Sequence, residues 1–477
     1  MTQITRRAAL TAIAGAPFLH AAPRRPNFLF LLTDDQSYST LSLTGSPFLR
    51  TPNIDRIGSE GVLFTNTFVA MSLCAPSRAC CLTGLYPHKN GIIGNQIRWN
   101  HQLQTLPRLL QSNGYRTAHI GKFHMDSDDR VHPGYDYYAA QLGQGQYVNP
   151  RKNINGKWVD LQGYDTDIVT DQAIEFMRAS KDKPFCTWIG YKACHGPFTP
   201  APGHETDFAS LAFRPPDSFF LDDTGKPDRV RRKSQNPQSA FTAESRKSGK
   251  KKRKKAAGDA PDSLEAWGNR ERDQYRCLMG VEDSVGRLLG FLDEEKLSND
   301  TIVVYMGDNG FFHGEHGLHG KMEAYEEALR VPMLLRYPAA VKGNQRIQAF
   351  TSNIDIAPSV LDFCGIRAPQ PMQGLSFKGL IDGSKGQPGR DSFVYTMHGG
   401  DAAQPTVKAL RTRRHKLILN LNPKDKTELY DLQADPKEMK NLALQPGNAP
   451  LIADLKRKLI AEMKRIEDPA IAAVETS

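Results

Sequence analysis

Short, unbroken apolar runs alternate with segments of helical spacing over most of this chain. Asn27–Thr33 (NFLFLLT), Phe185–Tyr191, Thr301–Met306 and Met333–Arg336 are apolar without strict alternation, which predicts strands buried on both faces. Thr105–Asn113, Asp167–Ser180 and Tyr275–Leu292 carry apolar residues three and four apart and predict amphipathic helices. Strands and helices in this order describe an α/β fold: a large mixed, mainly parallel sheet sandwiched by helices. After about Leu380 the pattern changes. Val407–Leu421 and Glu428–Leu432 predict short strands and Pro450–Ile466 a helix, so residues 381–477 are expected to form a smaller C-terminal α+β domain.

Length supports two domains, because 477 residues exceed what one hydrophobic core usually organises. Residues 1–22 stand apart. Thr5-Arg6-Arg7-Ala8-Ala9-Leu10, the modestly apolar Thr11–Leu19 and then His20-Ala21-Ala22 resemble a twin-arginine export peptide, although Leu19 or His20 is a poor match to the small residue expected at a cleavage site. The apolar part is too short to span a bilayer, and no other segment approaches ~18 consecutive apolar residues. The expectation is a chain handed to export machinery, residing in the periplasm or outside the cell, without stable membrane insertion.

The formal charge of +10 suggests a polyanion partner until its distribution is considered. Arg229 to Lys255 holds twelve Lys or Arg against one acid, Glu244, so the rest of the chain is nearly neutral. That stretch has almost no apolar residues and is expected to be a disordered basic insertion over residues 229–260, not a nucleic-acid site. The seven cysteines, Cys74, Cys80, Cys81, Cys186, Cys194, Cys277 and Cys364, are too sparse for a disulfide framework. All except Cys74 are expected to behave as small buried hydrophobes.

Chemistry in open α/β sheets collects beyond the carboxyl ends of the strands. The first predicted strand ends in Asp34-Asp35, and the strand at Thr301 ends in Gly307-Asp308-Asn309-Gly310. Asp34, Asp35, Asp308 and Asn309 could converge as an all-oxygen site for a hard cation, although turns and helix caps use the same residue types. Cys74, followed by Pro76 at the expected first turn of a helix, would feel the helix N-terminus and Arg78. Both favour a thiolate there.

Cys74-Ala-Pro76-Ser77-Arg78 with Leu82-Thr83-Gly84 resembles the signature of the type I, formylglycine-dependent sulfatases of the alkaline-phosphatase-like superfamily. Further similarities follow in order: Thr51-Pro-Asn-Ile-Asp55, Gly121-Lys122-Phe123-His124, His195-Gly-Pro197, Gly307–Gly310, Lys321, Asn353–Pro358 and Glu428–Pro436. The resemblance implies a catalytic domain over residues 23–380. It implies that Cys74 is oxidised to formylglycine by a formylglycine-generating or radical sulfatase-maturing enzyme, and that one divalent cation, calcium in first place, is held by Asp34, Asp35, residue 74, Asp308 and Asn309. A hydroxyl of the hydrated formylglycine would attack sulfur, with Arg78 beside it and Lys122 and Lys321 gripping sulfate oxygens. His195 would protonate the leaving sugar oxygen, a task Lys321 could share, and His124 would deprotonate the second hydroxyl to expel sulfate and restore the aldehyde. His313, His316 and His319 could line the cleft or be ordinary loop residues, and are not assigned.

Gly134–Tyr138, Tyr147–Asn149, Asn153–Lys157 and Asp167–Asp171 are similar to N-acetylglucosamine-6-sulfatases. A sulfated polysaccharide or glycosaminoglycan is therefore the expected substrate. Two alternatives remain: a phosphatase or phosphonate monoester hydrolase of the same superfamily, and an exported glycan-binding protein that uses the basic insertion.

Overall fold

The computed structural model describes residues 25–125, 130–220, 225–233, 263–383, 389–399, 406–422 and 425–477. The expected export segment 1–22 and residues 234–260 of the basic stretch lie outside them. The large sheet contains β1 (Asn27–Thr33), β2 (Val62–Phe68), β3 (Arg116–Lys122), β4 (Tyr137–Gln141), β5 (Arg151–Ile154), β6 (Lys157–Asp160), β7 (Phe185–Gly190) and β8 (Thr301–Gly307). After a two-stranded ribbon, β9 (Phe312–His313) and β10 (His319–Gly320), the sheet is completed by β11 (Arg330–Arg336), β12 (Gln345–Ile347) and β13 (Thr351–Ser352).

Its order is β12-β2-β11-β8-β1-β7-β3-β4-β5-β6, with β13 also on β2. The centre, from β8 through β4, is parallel, and antiparallel strands flank it on both sides. β1 shows why the centre reads as a continuous apolar run. Phe28, Phe30 and Leu32 enter the core on one face; Leu29 and Leu31 enter the other. Each such side chain contributes roughly 1.5–3 kcal/mol on burial. Helices Cys74–Thr83, Leu106–Ser112 and Ile356–Phe363 cover the first face, and Pro52–Ser59, Asp165–Arg178 and Leu264–Glu294 the second.

A second sheet is an antiparallel meander of β14 (Ser392–Met397), β15 (Val407–Thr412), β16 (His415–Asn420) and β17 (Glu428–Asp431), backed by the helix Ala449–Arg465 through Leu455, Leu459 and Met463. It is tied to the segment preceding Cys74. Thr396 N–H donates to the Ala70 carbonyl at 2.9 Å, and the Tyr395 and Ser72 hydroxyls lie 2.7 Å apart.

Two sequence expectations need correction. No strand is expected at β3, because Arg116–Lys122 (RTAHIGK) mixes charge and glycine where a central strand normally shows only apolar residues. The expected disordered insertion does not begin at 229: Asp228–Lys233 is a short helix, and Arg229 pairs with Glu323 and Asp425, both at 3.0 Å. No helix among the described residues is long and apolar enough to cross a membrane.

Candidate active site

Strand register brings the two acidic motifs together. β1 lies parallel to β8 with Thr33 opposite Gly307, so Asp34-Asp35 and Asp308-Asn309 leave adjacent strand ends. Oxygens of Asp34, Asp35 and Asp308 lie within 4.8 Å of one another, and all three carboxylates are buried. Asp35 takes a positive φ of 55°, which aims its N–H at Asp308 Oδ1, 3.1 Å away. Asn309 Nδ2 donates to Asp35 Oδ1 at 2.7 Å, while Asn309 Oδ1 is buried without a partner. Burial and the neighbouring Asp34 charge push the Asp308 carboxyl up. Crowded carboxylates and an orphaned amide oxygen fit a hard cation.

Cys74 is the first residue of a helix buried over its whole length, capped at the far end by Gly84 at φ 66°. Its Sγ lies 3.4 Å from Asp34 Oδ1 and 2.9 Å from Lys321 Nζ. The expected thiolate is not supported: burial and Asp34 outweigh Lys122 and Lys321 and push the thiol up to about 12. The Arg78 guanidinium is committed to other partners by its hydrogen bonds. Its Nε donates to Asp308 Oδ2 at 2.8 Å and one terminal nitrogen to the Lys122 carbonyl at 2.7 Å, while Nη2 is buried without a partner.

Lys122 and Lys321 sit on carboxylates, the first on Asp34 and the second on Asp35, and Lys122 also reaches Gln144. Burial alone would raise the Asp34 pKa, but Lys122, His195 and Arg78 hold it well below the usual carboxylate range. His195 Nε2 is 3.6 Å from Asp35 Oδ2. Burial lowers His195 to about 4 and, together with Lys122, lowers His124 to about 2, so both rings are neutral near pH 7. His124 has φ 57° and an unpartnered Nδ1. Among the unassigned histidines, His316 packs on Tyr325 and lies 3.6 Å from Glu327, whereas His313 and His319 pair across the β9–β10 ribbon.

Several neighbours were not foreseen. Lys192 is buried over the Tyr147 ring with an unpartnered ammonium, and burial first, then Lys122, lowers its pKa. Gln274 Nε2 donates to the Asp35 carbonyl at 2.9 Å. Gly190 and Gly121 make room where β7 and β3 meet. A Cβ on Gly190 would stand 2.3 Å from the Lys122 carbonyl and 2.9 Å from Arg78 Nη1, and one on Gly121 would stand 2.2 Å from the Gly190 carbonyl. The family motif already includes Gly121; nothing local marks Lys192.

Cations grouped around residue 74, with carboxylates behind them, suit the hydrolysis of an anionic ester on an alkaline-phosphatase-like sheet. The chain belongs to the sulfatase family, whose profile matches residues 26–366, and a profile for the C-terminal region of N-sulphoglucosamine sulphohydrolase matches residues 314–465. It is 34% identical, over 93% of its length and 87% of the relative's, to an N-acetylglucosamine-6-O-sulfatase of Bacteroides thetaiotaomicron. Identity to human N-acetylglucosamine-6-sulfatase is 27%, covering 89% of this chain and 82% of the human protein. A solved structure in complex with its substrate D-glucosamine-2-N,6-O-disulfate superposes with a TM-score of 0.83 at 33% identity, covering 94% of this chain and 99% of the other. A phosphonate monoester hydrolase from Silicibacter pomeroyi shares the fold, with a TM-score of 0.76 at 20% identity, covering 94% of this chain and 96% of the other. The chain is thus a sulfuric ester hydrolase.

Proposed function

We propose that this sulfatase removes 6-sulfate from N-acetylglucosamine-type residues of a sulfated polysaccharide or glycosaminoglycan, with formylglycine derived from Cys74 as nucleophile and one divalent cation, calcium, at Asp34, Asp35, residue 74, Asp308 and Asn309. The observation that carries the site assignment is the group of three buried carboxylates with the orphaned Asn309 Oδ1, set against a helix whose first residue is Cys74. The substrate assignment is supported by the relatives' named activities and the sugar disulfate in the similar structure. When bound, the cation would offset carboxylate charge, polarise a sulfate oxygen and acidify the hydroxyl at position 74.

The chain's own groups supply the rest. Lys122 and Lys321 are placed to exchange carboxylate partners for sulfate oxygens, and Arg78 keeps a free Nη2 beside them. His124, held neutral by burial, suits a base. His195 must carry a proton to serve the leaving oxygen, and an incoming sulfate supplies the negative charge that raises its pKa; Lys321, already held protonated mainly by Asp35, can share that task. We assign residues 23–380 to the catalytic domain and 381–477 to a supporting domain, with maturation by a formylglycine-forming enzyme and export through the segment 1–22.

The test is the mass of the tryptic peptide holding residue 74, alongside activity on N-acetylglucosamine-6-sulfate and the matching phosphate ester. Conversion of –CH₂SH to –CHO lowers the mass by about 18 Da. An active preparation with unmodified cysteine sinks the mechanism, and faster phosphate turnover favours the phosphatase reading. A glycan-binding role instead predicts that function depends on Arg246–Lys255 and survives Cys74→Ala.

A further inference from the structure

Lys321 reaches Cys74 from a turn that its own residues do not explain. The next residue, Met322, has φ 84°, a conformation that costs a non-glycine residue energy and persists only where the surroundings enforce it. Those surroundings come from the second sheet. Lys416 on β16 is fully buried, and its ammonium meets three acceptors: the Ala324 carbonyl at 3.1 Å, Glu326 Oε1 at 2.8 Å and Glu438 Oε1 at 2.8 Å. The carbonyl accepts a hydrogen bond, and the two carboxylates pair with the ammonium as ions. Glu438 Oε2 accepts from Glu326 N–H at 2.8 Å, Tyr325 donates to Glu428 Oε2 at 2.7 Å, and Arg411 pairs with Glu326 Oε2 at 3.2 Å. Three consecutive residues, 324 to 326, are therefore held by side chains from residues 411 to 438. Leu318, Ala324 and Tyr325 also pack into the apolar core of that sheet.

We propose that Lys416 is a positioning residue for Lys321: by tying the Ala324 carbonyl and Glu326 to Glu438, it holds the strained turn that presents the Lys321 ammonium to residue 74. This rests on the role given to Lys321 above. Lys416 does not touch the reacting atoms. Lys416 and Arg411 together face the carboxylates Glu326 and Glu438, so the clamp holds at one geometry and resists sliding. A misplacement of about 1 Å at a reacting group can cost on the order of a hundredfold in rate.

The test is a double-mutant cycle on the full, matured chain with N-acetylglucosamine-6-sulfate. Lys416→Met alone would leave buried carboxylates without their cation and can unfold the sheet, so it is combined with Glu438→Gln. That pair removes one charge of each sign, retains the acceptor for Glu326 N–H and leaves the Arg411–Glu326 pair. The expected result is a cooperative melt near the parent's, kcat lowered about tenfold or more with KM changed less, and no further loss when the pair is introduced into the Lys321→Ala background. Equal kcat in the charge-neutral pair and the parent overturns the proposal, as do losses that multiply with Lys321→Ala, which mark general destabilisation. Full activity in Lys321→Ala alone would overturn the role of Lys321 and this inference with it. A strong effect of Lys321→Ala with none from the pair overturns only the inference.

Discussion

Asn309 and Cys74 show how single atoms define the site. The unpartnered Asn309 Oδ1 sits beside three buried carboxylates, so Asn309→Ala should weaken calcium binding by about tenfold or more, read by calorimetric titration. Unchanged affinity would remove this oxygen from the ligand set. Cys74 is small and fully buried, and its Sγ touches only Asp34 and Lys321 among the hydrogen-bonding groups described. Cys74→Ala should therefore melt within about 1 kcal/mol of the parent while turnover falls to background. A protein that stays active with alanine there does not use residue 74 as nucleophile. Sequence motifs marked both residues, but only the packing shows the thiol pushed up to about 12, with Arg78 turned to Asp308.

Elements carry these atoms to one place through close approach of strand ends. Where β7 follows β3, Gly190 leaves no room for a Cβ, and Arg78 fills the space a side chain would take. Gly190→Ala should cost roughly 1–3 kcal/mol by overpacking, shift the Arg78 guanidinium, and lower melting temperature and kcat together. A stable, fully active variant would show that β7 can yield there. β1, β7 and β8 were legible as strands because both faces are buried and most positions are apolar; β3 was not, because Gly121 and Lys122 serve partners that lie elsewhere in the chain, Gly190 and Asp34. The long helix extends from Leu264, eleven residues before its predicted start, because its first turns are polar and are held by a Ser263 cap to the Ala266 N–H.

At the scale of the whole molecule, buried histidines weaken the fold as pH falls, against an opposing contribution from the buried carboxyls of Asp308, Glu315 and Glu438, whose pKa values burial raises. His124, His195, His313, His319 and His398 all have pKa values lowered first by burial, to between about 2 and about 4. A lowered folded-state pKa means that the unfolded chain binds more protons below about 6.5, so this stability is present above that pH and is lost as pH falls toward 4 and below. Melting temperature should fall over that window, and a flat profile between pH 6.5 and 4 would count against the buried, neutral rings. The proposed calcium ion would bind only the folded chain, so at a hundred times its Kd it should add about 2.7 kcal/mol and raise the melting temperature, an increment abolished by chelator.

The α/β alternation, the second unit after Leu380, the acidic strand ends and the candidate nucleophile precursor Cys74 were readable along the chain, because hydrophobic period and short motifs are local properties. The tertiary structure decided what those residues meet. β1 and β8 are more than 270 positions apart, and their register alone places Asp35 on Asp308. Lys416 reached Ala324 and Glu326 from another sheet, and the protonation of Cys74 and His124 followed from burial and charges contributed by distant segments. Pairing partners and desolvation are set by neighbours in space, and spacing along the chain does not encode them.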